Sequence, residues 1–66
     1  MRNTTKLKLI LQLYNVSLEM DEDEVLHFTL MDKRTGERYT IIDKSYTVVV
    51  RRAFVYMNKE MREPIQ

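Results

Sequence analysis

Cysteine and tryptophan are absent from this 66-residue chain, and glycine, proline and histidine occur once each. Without cysteine there is no disulfide and no thiolate metal site, and one histidine leaves too few ligands of the usual kinds for structural zinc. One glycine cannot build a phosphate-cradling loop. One glycine with one proline also argues against a linker or a disordered tract. Long apolar runs are missing too. The greasiest stretch, Leu7 to Tyr14, is broken by Lys8 and Gln12 and falls far short of the roughly 20 residues a membrane helix needs. No small-residue cleavage site follows it, which makes it a poor signal peptide. The lack of cysteine and of a leader points to the reducing cytoplasm.

What is present is enough for one small core. Hydrophobic residues make up 44% of the chain, so residues 1–66 read as a single domain with residues 1–4 and 63–66 frayed. A chain this short buries only about 60% of the surface its unfolded form exposes. Stability must therefore come from apolar packing, within the chain or against a second copy as well. Net charge is +1 but unevenly spread. Arg2, Lys6 and Lys8 stand near the start with no acid among them. Glu19, Asp21, Glu22, Asp23, Glu24 and Asp32 follow with no Lys or Arg between them, and the remainder is moderately basic. A near-zero total makes no global electrostatic case for nucleic acid.

The patterning predicts the order α-β-β-β-α. Residues 5–14 place Leu7, Ile10, Leu11 and Tyr14 on helical spacing, with Thr4 or Thr5 as the cap and Asn15 as a left-handed C-terminal residue. Leu7, Leu9, Leu11 and Leu13 also alternate as a strand would; the scarcity of β-branched residues favours helix. Val16, Leu18 and Met20 alternate with Ser17 and Glu19 in a first strand. Leu26, Phe28 and Leu30 alternate in a second, after a charged turn at Asp21 to Glu24. The only glycine, Gly36, sits where a hairpin needs positive φ before a third strand at Arg38 to Ile42. Tyr46, Val49, Val50, Ala53, Met57 and Met61 then form a helical stripe, capped by Asp43 or Ser45 and ended near Arg62 by Pro64. The expected fold class is α+β: a two-layer sandwich, a three-stranded antiparallel meander with both helices on one face. Its inner sheet face would carry Val16, Leu18, Met20, Leu26, Phe28, Leu30, Tyr39 and Ile41.

No pattern carries catalysis. In Asp21-Glu22-Asp23-Glu24 an EF-hand reading fails, because Val25 and Leu26 stand where the calcium loop needs an oxygen ligand and a glycine. A solvated turn that also keeps the strands from pairing with other chains is the simpler account. His27 falls on the outer sheet face within reach of Glu19, with no second histidine or cysteine, and reads as a surface residue. On the last helix, Arg51, Val55, Arg62, Val48, Lys59 and Arg52 share the face opposite the core stripe, a basic surface with two valines in its middle. On the first helix, Leu9 and Leu13 point away from the Leu7–Leu11–Tyr14 side and make a candidate self-association surface.

The element order and length resemble the double-stranded-RNA-binding domain, in topology alone. That family opens its second helix with a lysine-rich run that grips phosphates, whereas Ser45-Tyr46-Thr47-Val48-Val49 has no base. The family's Gly-Pro-x-His loop is replaced by Asp21 to Glu24, which repels a phosphate backbone. No site residue carries over. The sequence thus points to a small non-enzymatic protein-interaction module, self-associating or homodimeric, without cofactor, metal, membrane or small-molecule ligand. The alternative is a nucleic-acid-binding accessory domain using the basic face of the last helix.

Overall fold

Five elements follow in the expected order: α1 (Asn3–Leu13), β1 (Tyr14–Met20), β2 (Leu26–Asp32), β3 (Arg38–Asp43) and α2 (Tyr46–Arg62). The computed structural model describes residues 1–62; Pro64 and the C-terminal end lie outside them. The strands form one antiparallel sheet in the order β1-β2-β3. Its rows run Val16–Leu30–Tyr39, Leu18–Phe28–Ile41 and Met20–Leu26–Asp43 on the side that faces the helices. The α+β sandwich with both helices on one face of the sheet is what the periodicities predict. No helix among the described residues is long and apolar enough to cross a membrane.

The central strand explains the core. Leu26, Phe28 and Leu30 are buried, while His27 and Thr29 between them face the other side. There the Thr29 and Thr40 hydroxyls meet at 3.0 Å. Ile41 of β3, Ile10 of α1, and Val49, Val50, Ala53 and Met57 of α2 complete the buried cluster. Four of the six predicted α2 stripe residues are buried, but Tyr46 and Met61 are exposed. A helix of 17 residues is about 26 Å long, against about 20 Å for six-residue β3, so its ends overhang the sheet. Ser45 caps α2, its Oγ accepting the Val48 N–H at 3.3 Å, and Asp43 accepts the Ser45 N–H at 2.9 Å. The β2–β3 hairpin turns at Gly36 with φ +81°. Asp32 braces that loop by accepting the Arg34 N–H at 2.7 Å and the Thr35 N–H at 3.3 Å.

Several local expectations are corrected. α1 starts at Asn3, its N-cap residue is Arg2, and no side chain caps it; Thr4 and Thr5 lie inside the helix. Asn15 is not a left-handed cap. Tyr14 leaves the helix in extended conformation, its N–H still donating to Ile10 O, and β1 begins at once. Two of the remaining last-turn carbonyls are served from the β2–β3 loop. The Lys33 N–H donates to Leu13 O at 3.2 Å and the Lys33 ammonium to Leu11 O at 2.8 Å. A cation at the negative end of a helix is favourable by about 0.3–1 kcal/mol at an exposed site.

The inner face is the larger correction. Leu18, Met20 and Tyr39 point toward the helical layer but are 44%, 61% and 40% exposed. α1 packs chiefly on α2 and only lightly on β1, while α2 lies over β3 and β2. The helices therefore leave Leu18 and Met20 of the β1 edge uncovered, while Tyr39 lies on the opposite edge strand. Tyr39 compensates by stacking on Tyr56, ring centroids 4.1 Å apart and planes within 8°. Tyr14 closes on the same ring at 6.3 Å, and these contacts tie the α1–β1 junction and β3 to α2. Burial raises the Tyr14 and Tyr56 phenols above their ordinary range.

Candidate interaction surface

β1 is an edge strand, so half of its backbone groups have no partner in the sheet. Which half follows from the bonds at its two ends. Lys33 N–H donates to Leu13 O, and Asp21 N–H donates to Val25 O. In an antiparallel ladder each residue turns both backbone groups to one side, and the side alternates along the strand. With Tyr14 opposite Asp32 and Met20 opposite Leu26, Asn15, Ser17 and Glu19 bond to β2. Val16, Leu18 and Met20 turn their N–H and C=O groups to the open edge. The residues with open backbone groups are thus the same ones that turn apolar side chains to the inner face, where Leu18 and Met20 are exposed and Val16 packs against the core cluster.

Helix α1 borders this strip. Lys6 lies over the Phe54 ring of α2 at 5.9 Å. Leu11, about 140° further round α1, is turned away from α2 and is 43% exposed. The periodicity assigned Leu11 to the core; instead Ile10 is the fully buried centre of α1, and Leu9 is half-buried against the core cluster. Leu13 is 41% exposed. Of the two residues singled out for self-association, Leu13 is open and Leu9 largely is not. The β1 strip itself was assigned to the core by sequence reasoning. The signal for the strip was there in the alternation, but nothing local tells which inner residues a helix will cover.

The basic face of α2 is where the spacing places it. Arg51, Arg52 and Lys59 are exposed around Val55, and Val48 is half-buried. The side chain of Arg62 lies outside the described residues. Among the described residues none of these bases makes an ion pair.

Comparison with protein-family models, curated proteins and solved structures finds no match for the chain.

The acidic turn is a braced loop. Asp21 Oδ1 accepts the N–H of Asp23 at 2.9 Å and of Val25 at 3.0 Å, and Glu24 takes φ 62°. Asp21 Oδ2 accepts from His27 Nε2 at 2.9 Å. Glu19, the expected neighbour, is opposite His27 in the register, but the turn folds Asp21 back onto the ring. The His27 hydrogen bond, followed by that from Val25, holds the Asp21 carboxyl below its ordinary range. Both Asp21 oxygens thus serve the turn itself, and no three metal-ligating side chains converge among the described residues.

Proposed function

We propose that this protein is a small non-enzymatic interaction module that self-associates through the uncovered side of its sheet. The observation that carries the reading is the strip Val16, Leu18 and Met20, apolar side chains exposed to different degrees beside an unpaired backbone edge. A long edge with apolar flanks pairs with other chains unless it is blunted by charge, proline, a bulge or a cover. Here the inner flank of β1 carries no charge, and β1 carries no proline. A core limited by chain length also gains from a second copy. Sedimentation equilibrium tests the reading: it gives twice the 8.0 kDa chain mass, and a monomer at every concentration contradicts it. Leu13→Glu and Leu9→Glu probe the α1 face, and a monomer produced only by Leu13→Glu assigns that face a share of the contact.

A second reading rests on the exposed bases of α2. Arg51, Arg52 and Lys59 present three exposed cations to a phosphate backbone. Such binding weakens steeply with salt through counterion release, and Arg51→Glu with Arg52→Glu abolishes it. Salt-insensitive or undetectable binding to DNA or RNA at low ionic strength removes this reading.

A further inference from the structure

Among the described residues, three of β1 have both backbone groups free at the open edge: Val16, Leu18 and Met20. Tyr14 belongs to the same alternate set, but its N–H is already donated to Ile10 O. A two-fold axis through Leu18 maps the free set onto itself, Val16 opposite Met20 of a second copy and Leu18 opposite Leu18. Each of those pairs exchanges two N–H···O bonds, and no free group is left over. An axis at Ser17 would instead set Met20 against Tyr14, whose donor is spent.

The side chains agree with the same register. On the inner face, the line Val16–Met20, Leu18–Leu18 and Met20–Val16 is wholly apolar. On the outer face, Ser17 of one copy stands opposite Glu19 of the other, so a hydroxyl donor meets a carboxylate. An axis at Glu19 would bring two carboxylates face to face, which is destabilising. The partner is therefore complementary in backbone groups, in hydrophobic side chains and in the Ser17–Glu19 polar pair.

Resting on the self-association proposed above, we infer that the partner is a second copy, joined edge to edge by antiparallel β1–β1 pairing about Leu18. The product is one continuous six-stranded sheet, the isologous contact expected of a two-fold dimer. The helices of both copies lie on one face, and the Leu18 line is closed between the two α1 helices.

The absence of cysteine makes the register directly readable. Chains carrying Ser17→Cys are mixed with chains carrying Glu19→Cys and gently oxidised. Opposed residues of a non-hydrogen-bonded pair have Cα atoms about 4.5 Å apart, within disulfide range. The mixture yields a disulfide-linked heterodimer and neither variant alone yields a linked species. Linkage of Ser17→Cys with itself overturns the register. Leu18→Pro removes only an edge N–H, a position where proline is tolerated, and sediments as a monomer with a cooperative melt. Should that variant fail to fold, Leu18→Lys retains the backbone and sets two ammonium groups against each other at the axis, again giving a folded monomer. A wild-type dimer that persists in Leu18→Lys overturns the β1 pairing while leaving self-association standing. A wild-type monomer at all concentrations overturns both.

Discussion

Leu18 and Leu30 are the same residue type on the same face of the same sheet, one 44% exposed and the other 1%. Truncating each to alanine measures how unevenly the helices cover that face. Leu30 sits in the central strand within the buried cluster, where Leu→Ala costs about 2–5 kcal/mol, transfer and cavity terms together. Leu18 is little more than half buried and leaves no enclosed cavity. Burying a leucine fully is worth about 1.5–3 kcal/mol, so Leu18→Ala costs the monomer about 1 kcal/mol. A chain of this length has a total stability of about 3–10 kcal/mol, so Leu30→Ala removes much of it. Urea denaturation resolves the difference. With a slope of about 1 kcal/mol/M for a small domain, Leu18→Ala lowers the midpoint by about 1 M and Leu30→Ala by about 3 M. Both are run at low and high protein concentration. In a β1-paired dimer Leu18 is buried against its symmetry mate, so the Leu18→Ala loss grows with concentration while the Leu30→Ala loss does not. Equal losses at low concentration would refute the uneven coverage of the sheet.

Other perturbations test the supports of the fold. Ser45→Ala deletes the α2 cap and costs about 1 kcal/mol, read as a fall in Tm of about 4–8 °C; no shift would deny the cap a role. Gly36→Ala meets no atom within 4 Å of the added Cβ, so its cost is the positive φ alone, about 1–2 kcal/mol, and Gly36→Asn costs less. A larger loss would point to a steric clash at the hairpin. Asp21 and Asp32 both have depressed carboxyl pKa values. Their contribution is therefore present above the ordinary carboxylate range and lost as pH falls through the lower folded values. Acid unfolding monitored below about pH 4 is shallower in Asp21→Asn than in the wild type, and an unchanged profile would remove the Asp21–His27 contact from the balance.

Where neighbours in sequence decide the outcome, the chain is legible. Gly36 between two alternating runs marks the hairpin, Leu26, Phe28 and Leu30 mark the central strand, and Val49, Val50, Ala53 and Met57 mark the buried stripe of α2. The order of elements follows from these. What is not legible depends on distant partners. Asn15 looks like a helix stop, yet α1 ends a residue earlier in an extended Tyr14, and Lys33 from the distant hairpin loop serves two of its end carbonyls. Leu11 fits the helical spacing as well as Ile10 does, but α1 faces α2 as well as the sheet, and that second neighbour rotates the buried stripe toward Leu9. Leu18 and Met20 alternate no differently from Phe28 and Leu30. Only the lateral placement of two helices over three strands leaves them bare. The basic face of α2, by contrast, followed from helical geometry once its start was known.

Amide hydrogen exchange along β1 reads the proposed pairing most directly. The N–H groups of Ser17 and Glu19 bond to β2 in any state of association and exchange slowly throughout. Those of Val16, Leu18 and Met20 are protected only when a second β1 accepts them. Their protection is predicted at high protein concentration and lost on dilution, with Ser17 and Glu19 unchanged. Rapid exchange at Val16, Leu18 and Met20 at every concentration would contradict the account.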